Sequence, residues 1–110
     1  MKPDFSSAIE NIKSATLAGE GSTDPILRQA VAAYSKNATP TYLPLDGRIP
    51  TTLLPYLNKV GQHAYKIMDK DVEHLKELAY TEDEIFELTL AAAFGAGLAR
   101  LESGLALLDE

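Results

Sequence analysis

Hydrophobic residues recur every three or four positions along most of the chain, which predicts helices, and patterns typical of strands are scarce. A first helix is predicted from about Asp4 to Leu17 and ends before the segment AGEGS. A second helix is predicted to begin at STDP with Thr23 as its N-cap. Residues 36–50 contain several prolines and an Asp-Gly pair, which predict a long loop. This loop either forms a lid or oligomer arm or wraps over the core.

The same periodicity continues into the second half of the chain. A third helix is predicted from about Thr52 to Lys66, with apolar residues at 4-3-4-3 spacing, at Leu53, Leu57, Val60, Ala64 and Ile67. Asp69 is predicted to cap a short fourth helix, KDVEHLKELA. In all, five helices in one domain spanning residues 1–110 are expected, which makes the predicted fold all-α.

The fifth helix is predicted to begin near Glu82, because Thr81 and Glu84 have the spacing of a capping box, and to run to the C-terminus. One face carries large apolar residues: Leu90, Phe94, Leu98, Leu101, Leu105 and Leu108. The opposite face carries small residues: Ala92, Ala96, Ala99 and Ser103. A helix that is apolar nearly all round is buried on both sides, and small residues let another helix approach closely. The pattern therefore predicts a homo-oligomer.

The glycines at Gly95 and Gly97 allow two other interpretations. A phosphate-binding glycine loop is rejected, because these residues neither follow a strand nor open a helix. A break of the last helix near Gly95 is the second alternative, since glycine costs up to about 1 kcal/mol in a helix interior.

Charge and composition exclude several classes of function. The chain has 10 Lys and Arg residues against 16 Asp and Glu residues, a net charge of -6, so nucleic acid and anionic membranes are poor partners. The longest uncharged apolar stretch, Leu88 to Ala99, is about a dozen residues, whereas a membrane span needs about 20. A soluble, cytoplasmic protein is therefore expected. The chain contains no cysteine, which excludes disulfides, thiolate metal sites and thiol redox chemistry within it.

Residues 56–105 resemble the carboxymuconolactone decarboxylase/AhpD-like superfamily, and are most similar to its small cysteine-free members. The likeness is carried by the ordered segments AY, DKDV, TEDEIFE and AAAFGAGLARLESGL. The first half of the chain matches only in its helix pattern. The resemblance implies an all-α, AhpD-like fold with a central antiparallel helix hairpin, assembled into trimers, hexamers or related homo-oligomers.

The redox branch of this family carries a CxxCxxxH motif, which this chain lacks. Counting back from AYTEDEI places Ala64, Ile67 and Asp71 at the three motif positions. A register shifted by one turn would align His74 with the motif histidine and put Ile67 and Lys70 at the cysteine positions. Thiol peroxidase activity is not expected in either register.

Candidate site residues lie where the third helix meets the start of the fifth. His63 is interpreted either as a partly buried structural histidine or as a general acid/base at a pocket rim. Glu87 is either partly desolvated, with a raised pKa, or it reaches solvent or caps a neighbouring loop. By the resemblance, Tyr65 can add a hydroxyl to an inherited pocket there, and Asp71 occupies the position of the motif histidine.

Other chemistry is weakly represented. The two histidines lack HExxH spacing, and DKDVEH lacks the glycine of a calcium loop, so neither a metal nor a cofactor is predicted. Arg100 and Glu87 point to nearly opposite sides of the last helix, so Arg100 is available for an ion pair between subunits.

Two functions remain open. The first is a small-molecule site, with or without acid/base (lyase-like) chemistry by His63 and Glu87. The second is a non-enzymatic oligomeric scaffold or interaction module. The pattern leaves open whether the protein is an enzyme.

Overall fold

The computed structural model describes residues 6–36 and 49–108, and within these ranges the chain forms five α-helices and no strand. The predicted all-α class is therefore confirmed for the described residues. The helices are α1 (Ser6–Lys13), α2 (Pro25–Lys36), α3 (Leu54–His63), α4 (Asp69–Glu77) and α5 (Glu82–Leu108). A π-helical segment, Ser14–Ala18, extends α1, and short 3₁₀ segments, Thr51–Leu53 and Ala64–Lys66, flank α3. Most of the loop predicted at 36–50 lies outside the described residues.

Helix α5 is the centre of the fold, and α2 and α3 both pack along it. Helix α2 runs in the same direction as α5, because Arg28 lies near Glu87 and Lys36 lies near Glu102. The core between these helices is apolar, and its fully buried large side chains are Leu53, Leu57, Leu75, Leu88 and Val31. Apolar burial of this kind contributes most of the favourable free energy of folding.

The closest approach between α2 and α5 occurs at Gly95. A Cβ atom placed there would lie 2.1 Å from the backbone oxygen of Ala32 and 2.9 Å from its carbonyl carbon. Only a residue without a side chain fits at this crossing, because Ala32 presents backbone and cannot rotate away. Helix α5 continues without interruption through this position. The predicted alternative of a break near Gly95 is therefore wrong.

The faces of α5 are covered differently from the prediction. Ala92 and Ala96 of the small face are buried within the chain, and a Cβ at Gly61 of α3 would lie 3.7 Å from the Ala96 side chain. The part of the small face around Ala92 and Ala96 therefore packs on this chain's own helices, whereas Ser103 is exposed. The large face is less covered, since Leu90 and Leu108 are 44% and 61% exposed.

Helix α5 is also long and apolar enough to cross a membrane, with 22% of its most apolar stretch buried in the chain. Length and composition alone are weak evidence for a span, because the core helix of a soluble protein has the same properties. The soluble, cytoplasmic state stays a prediction.

Several helix ends differ in detail from the prediction. The capping box is confirmed, because the Thr81 N–H donates to Glu84 Oε1 (2.8 Å) and the Glu84 N–H donates to Thr81 Oγ1 (3.1 Å). Thr23 does not cap α2. Asp24 does so instead, and its Oδ1 accepts from the Ile26 N–H at 2.8 Å.

The ends of α3 and α4 differ as well. Asp69 is the first residue of α4 rather than its N-cap, which is Met68. The apolar stripe of α3 ends at Val60, because the backbone of His63 leaves the helical region at φ −142° and ψ 49°, and Ala64 is exposed. Ala79, two residues after the end of α4, has a φ of 76°, a conformation that usually requires glycine.

Candidate functional site

Glu87, a predicted site residue, forms hydrogen bonds with the segment that connects α1 and α2. Its carboxylate accepts hydrogen bonds from the Ser22 N–H (2.7 Å), the Thr23 N–H (2.9 Å) and the Thr23 hydroxyl (2.6 Å). A Cβ at Gly21 would lie 2.7 Å from the same carboxylate, so this segment passes very close to it. The interpretation of Glu87 as a cap of a neighbouring loop is therefore confirmed.

The pKa of Glu87 is lowered, which contradicts the alternative of a raised value. Burial raises the pKa of this carboxyl. The hydrogen bonds from Thr23 and Ser22 and the charge of Arg28 lower it by more, so the net shift is downward. A carboxylate held in its ionised form by three donors is poorly suited to donate a proton near neutral pH.

Arg28 is a buried cation behind this segment, and its side chain is 3% exposed. Its guanidinium donates to the backbone oxygens of Thr16 (3.1 Å), Gly19 and Thr23 (3.5 Å). Its Nε lies 4.0 Å from Glu87 Oε1 and has no hydrogen-bond acceptor in residues 6–36 and 49–108. Arg28 thus binds carbonyls of the π-helical extension and of the segment after it, while Glu87 binds N–H groups of that segment, and the two charges offset each other.

Sequence reasoning missed Arg28. A signal existed, because Arg28 adjoins Leu27 and precedes Val31 by three positions, on the apolar stripe of α2. A cation at such a position is desolvated unless a partner is nearby. The partner cannot be read from helical spacing, since Glu87 lies far along the chain.

His63 and Tyr65 lie together at the exposed end of α3. Their rings make an edge-to-face contact with 6.0 Å between centroids, and the Tyr65 side chain is 80% exposed. His63 is exposed as well, so the partly buried histidine that was predicted is not observed.

The described contacts do not bring His63 and Glu87 together. Gly61, two residues before His63, packs on Ala96, and its carbonyl accepts a hydrogen bond from Arg100. Ala96 is nine residues beyond Glu87, which corresponds to about 13 Å along the axis of α5. The Arg100 guanidinium thus has a partner within its own chain.

Asp71 has a structural position at the start of α4. Its carboxylate accepts hydrogen bonds from the Met68 N–H (2.8 Å) and from Lys59 Nζ (2.9 Å). The Met68 hydrogen bond and the Lys59 ammonium lower the pKa of Asp71. An open cleft of about 300 Å³ adjoins it, lined in part by Tyr56, Lys59 and His74. In residues 6–36 and 49–108, no three His, Asp or Glu side chains are grouped as metal ligands would be.

Another cleft lies between α1, its π-helical extension, α2 and α5. It encloses about 410 Å³, and its lining includes the apolar side chains of Leu17, Phe94 and Leu98. A second cleft of about 310 Å³ continues from it toward the end of α5. Lys13 and Lys36 line both clefts, and so does Glu10, which places two cations and one carboxylate where the two meet. We refer to the two together as the α1 groove.

Comparisons with protein-family models, curated proteins and solved structures find no match to this chain. The fold and the site geometry are therefore the only basis for a functional proposal, and the AhpD-like resemblance stays a prediction.

Proposed function

We propose that this protein is an AhpD-like, homo-oligomeric protein that binds a small amphipathic anion in the α1 groove and carries out no thiol redox chemistry. The observation that carries the proposal is the groove itself. A cleft of about 410 Å³ lies within the range of small-molecule sites, roughly 300–1,000 Å³.

The lining of the groove favours a particular ligand chemistry. Leu17, Phe94 and Leu98 provide an apolar surface suited to an alkyl or aromatic group. Lys13 and Lys36 lie beside it and can each hold a carboxylate, with Lys36 Nζ also 3.2 Å from Glu102 Oε1. Glu10 and Glu102 also line the groove, so its two lysines are matched by two glutamates, which disfavours a ligand with several negative charges. A monocarboxylate with a medium-length alkyl chain, such as decanoate, matches this arrangement.

The geometry supports binding better than acid/base chemistry. The contact of Gly61 with Ala96 places the end of α3 more than two turns of α5 away from Glu87, so the predicted proton-transfer pair of His63 and Glu87 is not formed. The Glu87 carboxylate is also occupied by Ser22 and Thr23. The α1 groove includes neither of them.

Competition for a fluorescent amphipathic anion, 8-anilinonaphthalene-1-sulfonate, tests the proposal. We expect decanoate to displace the dye from the wild-type protein, and decanol to displace it less well. In Lys13→Gln the advantage of decanoate over decanol should fall several-fold, because the variant removes a cation and little apolar surface.

A pair of matched variants controls for nonspecific binding. Ala33 lines the groove and Ala15 is exposed outside it. Ala33→Leu should weaken decanoate binding at least five-fold, while Ala15→Leu should leave it unchanged. Equal binding by both variants would contradict the proposal.

A non-enzymatic scaffold is the second candidate function. The exposure of Phe86 and Leu90 on α5 favours it, since large exposed apolar side chains on one helix face are typical of protein interfaces. A protein that assembles normally and binds neither decanoate nor decanol in the groove would support the scaffold.

A further inference from the structure

The face of α5 that points away from α2 and α3 is mostly uncovered by the described residues, although Leu101 at its edge also lines the second cleft of the α1 groove. It is lined by seven uncharged positions at 4-3-4-4-3-4 spacing: Phe86, Leu90, Ala93, Gly97, Leu101, Gly104 and Leu108. Six of them are exposed, and Leu101 is half-buried. We call this set the outer face of α5. Its spacing keeps all seven residues within one narrow stripe of the helix.

The glycines of the outer face are not required by the chain itself. A Cβ atom at Gly97 or Gly104 would meet no atom of the described residues within 4 Å, in contrast to Gly95, where it would clash with Ala32. Glycine in a helix interior costs about 1 kcal/mol relative to alanine. Two such glycines on an exposed face therefore reduce the stability of the monomer without any packing gain inside it.

The outer face is symmetric about Gly97. Phe86 and Leu108 both lie eleven residues from it, Leu90 and Gly104 both lie seven, and Ala93 and Leu101 both lie four. When two antiparallel helices cross at a two-fold axis, positions equally far before and after the axis face each other. Each large side chain at 90 or 101 then faces a small residue, and the two copies of Gly97 meet at the centre.

We propose that the outer face of α5 is an interface between two copies of this chain, packed antiparallel about a two-fold axis at Gly97. The inference rests on the homo-oligomerisation proposed above and adds its geometry. A two-fold contact of this kind fits a dimer or a hexamer with two-fold axes and does not fit a purely cyclic trimer.

The exposed apolar surface of α5 is close in area to that of the smaller stable interfaces. Phe86 is 64% exposed, Leu90 44% and Leu108 61%, and neighbouring Leu107 is 68% exposed. These four side chains present roughly 400 Å² of apolar surface, if a fully exposed side chain of this size offers about 150–200 Å². Two copies double that area, and the small residues between them add to it, which approaches the roughly 1,200 Å² of the smaller stable interfaces.

Charge permits the same pairing. The chain carries a net charge of -6, so two copies repel each other at long range. None of the seven positions of the outer face is charged, and contact along it therefore buries no unpaired acid from these positions. A membrane is the competing occupant, since α5 is long and apolar enough to cross one, and the experiment separates the two.

Cysteine cross-linking tests the proposal directly, because the chain has no cysteine of its own. In Gly97→Cys the two new thiols would lie at the two-fold axis, within the distance of about 4–7 Å between Cα atoms that a disulfide requires. We expect most of this variant to form a covalent dimer under mild oxidation at micromolar concentration. Ala106→Cys, exposed on the opposite side of α5, should cross-link at least ten-fold more slowly.

Mixing two further variants tests the antiparallel register. Leu90→Cys and Gly104→Cys should cross-link efficiently when combined and poorly when each is alone, whereas a parallel arrangement would reverse that result. Circular dichroism of each variant checks that the fold is retained. In the unmodified background, Leu90→Glu should weaken association at least ten-fold and keep the helix content, because Leu90 is largely exposed in the monomer.

Three outcomes would overturn the proposed interface. Sedimentation that shows an oligomer without selective cross-linking of Gly97→Cys would refute this interface and leave homo-oligomerisation intact. A monomer at all concentrations would refute both. A monomer that co-floats with phosphatidylcholine vesicles, and loses this property in Leu90→Glu, would assign the outer face to a membrane.

Discussion

Replacement of Gly95 by alanine is the perturbation for which the structure makes the sharpest prediction. The new Cβ atom would lie 2.1 Å from the Ala32 oxygen, 2.9 Å from its carbonyl carbon and 3.0 Å from its Cα atom. These are backbone atoms of a buried residue in α2, so no rotamer change relieves the contact. Restoring ordinary contact distances requires α2 and α5 to separate by about 1 Å.

The magnitude follows from two opposing effects. Overpacking of a dense core typically costs about 1–3 kcal/mol. Replacing a helical glycine by alanine returns up to about 1 kcal/mol. Because the clash is with backbone, the cost falls in the upper part of that range, about 2–3 kcal/mol. The expected net change is a destabilisation of about 1–2 kcal/mol, which lowers the Tm of a domain of this size by roughly 5–15 °C.

The matched control is Gly97→Ala, two residues further along the same helix. No atom lies within 4 Å of the Cβ position at Gly97, so the variant gains helix propensity without a clash. At a concentration where the chain is monomeric, Gly97→Ala should be more stable than wild type by about 0.5–1 kcal/mol. Urea unfolding followed by circular dichroism measures both variants. Equal or greater stability of Gly95→Ala would refute the proposed close crossing of α2 and α5.

Three further predictions follow from other positions. Ala79→Gly should stabilise the protein by about 1 kcal/mol, because Ala79 has a φ of 76° that glycine adopts without strain, and a loss of stability in thermal unfolding would contradict this. Glu87→Gln should destabilise the protein by about 1–2 kcal/mol at pH 7 in urea unfolding, because it removes a charged acceptor from Ser22 and Thr23. The pKa of Glu87 is lower in the folded state than in the unfolded state, where it is near 4.5. The ionised carboxylate therefore stabilises the fold fully above the unfolded pKa, and this stabilisation is lost as the pH falls through the folded pKa. The difference in unfolding free energy between wild type and Glu87→Gln should shrink over that pH range. The purified protein should consume no peroxide at the expense of a dithiol reductant, since it has no thiol, and turnover proportional to protein concentration would overturn that prediction.

Local signals in the sequence were sufficient to predict the helices. Capping of α5 by Thr81 and Glu84 depends on residues three apart, and the structure contains both hydrogen bonds. The end of α4 was harder to predict, because Ala79 adopts a positive φ without the glycine that normally marks such a position. Helix identity thus followed from short-range periodicity, and the exact caps depended on which nearby side chain reached the free N–H groups.

The candidate site could not be predicted to the same extent, because it depends on how distant segments dock. The contact of Glu87 with Ser22 and Thr23 joins residues more than sixty positions apart. Helical projection correctly separated the two faces of α5 and could not show that α2 covers the small one at Gly95. The sequence therefore did not show which helix packs against each face of α5.

The most direct test of the proposed function is a map of ligand-induced chemical-shift changes in the ¹⁵N-labelled protein, titrated with decanoate. The proposal predicts saturable shifts of the backbone amides that line the α1 groove, including those of Lys13, Ala33 and Phe94, with those near Tyr56 and Asp71 unaffected. Shifts concentrated around Tyr56 and Asp71, or no saturable shifts at millimolar decanoate, would contradict binding in the α1 groove.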